Sequence, residues 1–506
     1  MRLSCRPLAT SAALLLLAAC QATPEAPPEG AERQYGTLTF KPCTLTSAQA
    51  SNNVEAECAT LQVPENPDAP DGRKIGLNIA LLDTANEGEG KQDPVFFLAG
   101  GPGQSATQVA AIINQSLRDV RKKRDIILVD QRGTGKSNPL SCVDADGKEL
   151  SFDENAAATP EVIAEFATRC AAALAERADT RFYTTTQAIG DLDAVRAALG
   201  VDKINLVGGS YGTRVAQQYA ARFPQHTRAV VIDGVAPNDL AVGGDFANTF
   251  ESAIELQSAQ CRKDPACAKR FPVDTRTQLR NVMTTLAKAP VEVEYRDPGT
   301  AAVRRDPISA NTVTSLAFMF SYMPELSSLL PVVLDEAAQG RYAPLMSLNS
   351  LATRNMAGQM NQGMQWSVIC AEDADRYQEA PAGDRLLGPE VARMFFAACP
   401  VWNVGTRPKN FTAPLSTDVP VLLLSGGLDP VTPPAYASEV AKGFPNSRHV
   451  VARGFGHIVS PHACAPRLIA AFVDDAGFGN LPQPCIDFLE RSRRPPSWPD
   501  RLAPQP

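Results

Sequence analysis

Ser210 stands in Gly208-Gly209-Ser210-Tyr211-Gly212, directly behind the apolar run Ile204 to Val207. A G-x-S-x-G that follows a buried strand and opens a helix is the sequence form of a nucleophile elbow. A serine in such a turn projects its hydroxyl from the top of a sheet, where it can attack a carbonyl carbon. Gly208 and Gly212 fall where a Cβ would collide with neighbouring backbone. A helix over 213–222 then points its N-terminus at the site, and the amide of Tyr211 becomes free to bind an oxyanion.

Such a serine needs a base and an acid that orients the base, and with this elbow the chain order is Ser, then Asp or Glu, then His. Asp429 follows the apolar run Val421 to Leu424 and opens a proline-bearing turn. His457 ends Gly454-Phe-Gly-His, a loop behind the next apolar run. Of the four histidines, His226 and His449 sit beside Gln225 and Arg448, and His462 follows Pro461, which leaves His457 as the base. The second oxyanion donor belongs in a loop after an earlier strand, and Ala99-Gly-Gly-Pro-Gly103 fills that role. Pro102 has no N–H, so the amide of Gly101 is the expected partner of the Tyr211 amide.

Two nucleotide-like patterns carry less. Gly101 to Ala106 fits G-x-G-x-x-A, with Asp130 ending the next strand. Pro102 stiffens that turn and removes an amide that would face a pyrophosphate. Gly133-Thr-Gly-Lys136-Ser137 resembles the tail of a phosphate-binding loop, but Asp130 occupies the position of its first glycine. No cofactor and no metal is expected.

The elements that must position these groups are apolar runs alternating with helical segments. Leu77 to Leu82, Val95 to Leu98, Ile126 to Val129, Ile204 to Val207 and Ala229 to Ile232 form one set, and Val419 to Leu424 with His449 to Ala452 a second. Near-continuous apolar runs of this length suit a mostly parallel sheet buried on both faces by helices. Between the sets, Met, Gln and Ala recur at helical spacing over 246–261, 277–289 and 315–339, which predicts a helical insertion. The expected organisation is a leader at 1–19, a tether at 20–33, a core at 34–239, a mainly helical cap at 240–410, the rest of the core at 411–480, and a Pro-rich tail at 481–506.

Arg2 and Arg6 precede an apolar stretch from Leu8 to Ala19 that is too short to span a bilayer. Leu17-Ala18-Ala19-Cys20 resembles a bacterial lipobox, so Cys20 is the expected lipidation site and new N-terminus, anchoring the chain to the membrane. Gln21 after that cysteine favours outer-membrane sorting, by resemblance to enterobacterial lipoproteins, so the expected location is the periplasmic face or outer membrane of a Gram-negative cell. With Cys5 and Cys20 set aside, ten of twelve cysteines remain in an exported chain. Pairing of sequence neighbours gives Cys43–Cys58, Cys142–Cys170, Cys261–Cys267, Cys370–Cys399 and Cys464–Cys485 as disulfide candidates. The formal charge of −7, with 48 basic against 55 acidic residues, leaves no basic stripe for nucleic acid. The chain is expected to act as a monomer.

Ala-Gly-Gly-Pro-Gly at 99–103, Asp-Gln-Arg-Gly-Thr-Gly-Lys-Ser at 130–137, Gly-Gly-Ser-Tyr-Gly-Thr at 208–213, Asp-Pro-Val-Thr-Pro at 429–433 and Gly-His at 456–457 together resemble the proline iminopeptidase family of α/β-hydrolases. Within it the chain is most similar to the exported tripeptidyl aminopeptidase branch. The resemblance implies an α/β-hydrolase fold, with Ser210 as nucleophile, Asp429 as acid and His457 as base. Ala99 and Tyr211 depart from the cytosolic pattern, which has His and usually Trp there. Asp130 and Arg132 read as loop-ordering residues. The implied activity is release of residues or short peptides from free peptide N-termini. A carboxylesterase and a triad-bearing but inactive surface binding protein are the alternatives. An exopeptidase must also read the substrate ammonium, and Glu372 and Asp373, adjacent acids beside Cys370, are the candidates for that contact.

Overall fold

The computed structural model describes residues 32–46, 53–85, 93–150, 159–356, 360–379 and 383–493. Cys20 and the expected leader, with the tether as far as Ala31, lie outside these residues. Ten strands form one sheet: β1 Arg33–Tyr35, β2 Leu38–Leu45, β3 Val54–Pro64, β4 Lys74–Leu82, β5 Val95–Leu98, β6 Ile126–Val129, β7 Ile204–Gly209, β8 Thr227–Asp233, β11 Val421–Gly426 and β12 Ser447–Ala452. Their spatial order is β1-β2-β3-β4-β6-β5-β7-β8-β11-β12. Pairing is antiparallel from β1 to β6 and parallel from β6 to β12.

The parallel half follows from composition. Every residue of β6, β7 and β11 is buried, so these strands need apolar side chains on both faces. Successive residues feed two separate cores. Leu206, Ile232 and Leu423 join one, while Val207, Val231 and Leu424 join the other. Each such buried Leu, Ile or Val contributes about 1.5–3 kcal/mol relative to exposure. The sheet is therefore a rigid platform, and loops at its C-terminal edge inherit that rigidity.

A third core, with Phe250, Ile254, Leu279, Leu316 and Leu334, lies in the insertion between β8 and β11. The helices of the insertion include Phe246–Lys263 and Thr275–Leu286, which build this core, and Gln362–Glu372, whose Met364, Trp366 and Val368 join the first core instead. The insertion also holds an antiparallel hairpin, β9 Val291–Arg296 with β10 Val303–Ile308. The segment read as helical over 315–339 is three helices, Ala310–Ser321, Pro324–Ser327 and Leu330–Ala338. Pro324 and Pro331 stand in the first turns of the second and third, where a missing N–H costs nothing.

Two further features depart from the sequence reading. β1, β2 and β3 form an antiparallel meander that the apolar runs did not mark. The tail expected from 481 includes the helix Gln483–Arg491, whose Cys485, Ile486 and Leu489 belong to the second core. The ten cysteines join as Cys43–Cys58, Cys142–Cys170, Cys261–Cys267, Cys370–Cys399 and Cys464–Cys485. Five disulfides suit maturation in an oxidising compartment. Among the described residues no helix is long and apolar enough to cross a membrane.

Candidate active site

β7 ends in the elbow, and its geometry explains its glycines. Ser210 is held at φ 55° and ψ −125°, a backbone conformation uncommon for a residue with a Cβ. A Cβ on Gly208 would lie 2.4 Å from the carbonyl oxygen of Gly212, and one on Gly212 would lie 2.1 Å from that of Leu98. β7 could therefore not turn so sharply beside β5 with any other residue at these positions. The helix Tyr211–Arg222 begins one residue after Ser210, so the Tyr211 amide has no acceptor in a preceding turn. A Cβ on Gly100 would come 3.1 Å from the Ser210 Cβ, which brings the 99–103 loop against the elbow. There the Gly100 amide donates to Gln104 Oε1 at 3.2 Å, and Gly101 follows at φ 107°.

Asp429 lies in the turn after β11 and is 3% exposed. Its carboxylate accepts hydrogen bonds from the amides of Val431 (2.9 Å) and Thr432 (2.8 Å) and from the Thr432 hydroxyl (2.7 Å). His457 Nδ1 donates to Asp429 Oδ2 at 2.8 Å, because an ionised carboxylate only accepts. Burial opposes the Asp429 charge. The imidazole and the turn donors outweigh it and hold the carboxyl below its ordinary value. Burial likewise opposes an imidazolium at His457, but Asp429 and then Asp233 raise its pKa above the ordinary histidine value.

The cap supplies contacts as well. The His457 amide donates to the carbonyl of Tyr322 at 2.8 Å. The Tyr322 ring stands edge-on to the imidazole with centroids 5.2 Å apart. Thr249 donates to the carbonyl of Pro430 at 2.6 Å, beside Asp429, and the Asn361 amide donates to Gly103 at 2.8 Å. The insertion thus touches the loops of the expected acid, base and oxyanion donor.

The loop after β6 is ordered from within. Asp130 is fully buried and accepts from Ser105 Oγ (2.6 Å), the Thr107 amide (3.0 Å) and Asn78 Nδ2 (2.8 Å). Arg132 forms a two-point pair with Asp191, at 2.6 Å for each bond, and donates to the carbonyls of Glu65 and Phe182. These bonds fit the loop-ordering expectation for both residues.

Glu372 and Asp373 require a correction. Both are fully buried. Glu372 accepts from the Thr185 amide (2.7 Å) and hydroxyl (2.9 Å). Asp373 takes Arg214 Nη1 at 3.1 Å, Arg376 Nη2 at 2.8 Å and the Val242 amide at 3.2 Å. Arg214 lies on the helix that starts at the elbow, and Thr185 Oγ1 is 2.6 Å from the Tyr211 hydroxyl. The two acids fasten the cap helix Gln362–Glu372 to the back of the elbow, and their oxygens are occupied by protein donors rather than turned toward a substrate ammonium.

Sequence reasoning missed Thr432, Tyr322 and Asp233. Thr432 falls within the quoted Asp-Pro-Val-Thr-Pro motif and could have been found there. Asp233, a charge ending an apolar strand just before a glycine, carried a local signal. Tyr322 carried none, since its contact with His457 spans 135 residues of sequence. His226 and His449 pair elsewhere, with Asp193 at 2.9 Å and Ser425 Oγ at 3.0 Å. Among the described residues no cluster of three or more His, Cys, Asp and Glu could hold a metal ion.

A strand-turn-helix serine, a buried Asp–His pair and an adjacent glycine-rich loop, all at the C-terminal edge of one parallel sheet, define a class. The chain belongs to the alpha/beta hydrolase fold family, whose model matches residues 93–461. It is similar to the serine protease Hip1 of Mycobacterium tuberculosis, at 27% identity over 455 residues, 84% of this chain and 86% of that protein. It is also similar to the tripeptidyl aminopeptidase of Streptomyces lividans, at 33% identity over 192 residues, 35% of each chain. Among solved structures it is similar to a proline iminopeptidase of Mycobacterium smegmatis, at 14% identity and a TM-score of 0.37, covering 82% of this chain and 98% of that one.

Proposed function

We propose that the chain is a serine exopeptidase that releases residues or short peptides from free peptide N-termini, as a tripeptidyl aminopeptidase or proline iminopeptidase does. The observation that carries this reading is the His457–Asp429 bond of 2.8 Å, in a chain whose Ser210 occupies the strained elbow. Similarity to a serine protease over most of the chain supports peptide rather than ester substrates.

The steps follow from the groups. Ser210 Oγ attacks the scissile carbonyl carbon while its proton passes to His457 Nε2. Asp429, held ionised, stabilises the imidazolium that forms. The amides of Gly101 and Tyr211 receive the oxyanion. His457 returns the proton to the leaving amine as the C–N bond breaks, leaving an acyl-Ser210 ester. Water, deprotonated by His457, then attacks that ester and releases the N-terminal product. The cap closes over this edge and limits how far a chain extends beyond the bond. Cys20 carries the lipid that anchors the enzyme at a membrane surface facing peptide substrates.

The test compares peptidyl p-nitroanilides with free and acetylated N-termini. A free ammonium read by a charge-assisted contact of about 1.5–3 kcal/mol gives a preference of about 10- to 100-fold in kcat/KM. Equal rates on both, with faster cleavage of simple acyl esters, would make the chain an esterase. Ser210→Ala abolishes turnover and covalent labelling by a fluorophosphonate while the fold persists. Labelling of the folded variant at the wild-type level would remove Ser210 from the mechanism.

A further inference from the structure

One buried carboxylate beside the site has no part in those steps. Asp233 is the last residue of β8 and is 1% exposed. Its main-chain carbonyl accepts the amide of Ser210 at 2.9 Å. Its side chain accepts the amide of Val459 at 3.0 Å (Oδ1) and 2.9 Å (Oδ2), and that of Ser460 at 2.7 Å (Oδ2). Val459 and Ser460 follow His457 by two and three residues. Between them and His457, Ile458 is held at φ 70°, in the left-handed region that a β-branched side chain disfavours. Next to Asp233, Gly234 runs so close to the imidazole that a Cβ there would lie 2.9 Å from His457 Cε1.

We infer that Asp233 is a positioning residue for the proposed reaction, gripping the His457 loop with its carboxylate and the Ser210 amide with its carbonyl. One residue of a rigid central strand thereby sets the separation of nucleophile and base. The chemistry of the side chain suits the task. Both amides converge on Oδ2 and that of Val459 also reaches Oδ1, so a carboxylate accepts every bond, whereas an asparagine with its carbonyl at Oδ2 turns an NH₂ toward the Val459 amide. The bonds also explain Ile458, because a strained residue persists only where its surroundings over-determine it.

The position has an electrostatic consequence. His457 is faced by Asp429 from the turn after β11, by Asp233 from β8 and by the Tyr322 phenol from the cap. Asp233 adds a second negative charge that favours the imidazolium. Burial dominates and raises its own pKa above the ordinary carboxylate value, against the two amides, the Ser460 side chain and His457, which support its ionisation.

The inference rests on the Ser210–His457 reading, and the test separates the two. Asp233→Asn is assayed on a p-nitrophenyl acyl ester, which any acyl-enzyme mechanism accepts, with fluorophosphonate labelling of the wild type as reference. Failure of the wild type to label at Ser210 would count against the triad. With the wild type labelled, the folded variant is expected to lose about 10- to 100-fold in kcat with KM unchanged, as for a misplacement near 1 Å. The acid limb of its kcat/KM profile should move to lower pH, because His457 loses one of two anions. A folded variant with native kcat and an unmoved acid limb would overturn the inference. Ile458→Gly tests it without touching the carboxylate. If Asp233 holds the loop through Val459 and Ser460, freeing φ at 458 leaves kcat at the wild-type level. A tenfold loss or more (, about 1.4 kcal/mol) would mean that Ile458 itself holds the loop, and would overturn the inference even if Asp233→Asn failed to fold.

Discussion

Glu372→Gln is the sharpest test of the network behind the elbow. In the native chain, burial dominates and pushes the Glu372 carboxyl from 4.5 up to about 7, with Asp373 adding to the rise and Arg214 and Thr185 opposing it. The folded state therefore binds its proton more tightly than the unfolded chain does. Below the unfolded value both states are protonated and the group contributes nothing. As pH rises through the window from 4.5 to about 7 the unfolded state gives up its proton first, and folding stability falls. Above that window the full cost applies, about 3 kcal/mol at ~1.4 kcal/mol per pKa unit. Glutamine copies the protonated form, since its carbonyl can accept from the Thr185 amide and its NH₂ can meet the Thr185 hydroxyl. Thermal melts of wild type and variant should nearly coincide around pH 5 (, at the foot of the window) and separate as pH rises, the variant becoming the more stable. A constant offset, or a variant less stable under mildly alkaline conditions, would refute the reasoning. The same variant should keep its kcat/KM on a free-amine peptidyl anilide, whereas a loss confined to that substrate would return Glu372 to amine recognition.

Three further outcomes follow from the geometry. The kcat/KM profile should fall on the acid side with a midpoint above the ordinary histidine value, because Asp429 and Asp233 stabilise protonated His457 and only the neutral ring accepts the serine proton. A midpoint below that value would contradict the assignment. Asp191→Ala leaves the buried Arg132 guanidinium without its carboxylate and should cost about 3–5 kcal/mol in urea unfolding. A loss under 1 kcal/mol (, about what an exposed pair contributes) would show that the carbonyls of Glu65 and Phe182 suffice. Gly212→Ala puts a Cβ 2.1 Å from the Leu98 carbonyl, so the elbow must open. About 100-fold or more should be lost in fluorophosphonate labelling while circular dichroism stays native.

What was legible in the sequence was what lies close together along the chain. The elbow is five consecutive residues, and the buried parallel strands are apolar on both faces, so each announces itself without its neighbours. Asp429 and His457 could be read because each closes such a strand with a distinctive turn. β2 and β3 could not, because an edge meander with one wet face alternates polar and apolar residues and is set by cross-strand pairing. Pro324 and Pro331 were visible, yet they start helices rather than interrupt one, a difference set by the packing of Leu330 and Leu334 in the cap core. The misreading of Glu372 and Asp373 has the same origin. Adjacent acids beside a cysteine look available to a ligand until Arg214, more than 150 residues earlier, is known to lie against them. Asp233 carries a local signal as a charge that ends an apolar strand, but its partners, the amides of Val459 and Ser460, lie more than 220 residues further on and are set by the fold.

The cysteine bridges impose an order on assembly. The widest closes a span of 29 residues and the narrowest one of 6. A chain emerging N-terminus first meets each partner soon after the cysteine that needs it, so few wrong pairings compete. Cys43–Cys58 and Cys142–Cys170 can form before Ser210 has emerged, whereas Cys464–Cys485 must wait until Asp429 and His457 have passed. Among the described residues no bridge crosses from the segment before the insertion to the segment after it. The two halves of the proposed catalytic centre are thus each fastened covalently within themselves and joined to one another by the polypeptide that runs through the cap and by non-covalent contacts, among them β8 lying against β11, the shared second core and the pairs of Lys123 and Arg124 with Asp474. A single proteolytic cut in the insertion, outside the loops closed by Cys261–Cys267 and Cys370–Cys399, would leave Ser210 and His457 on separate covalent pieces, held together by non-covalent contacts such as the β8–β11 pairing and the bonds of Asp233 to Val459 and Ser460.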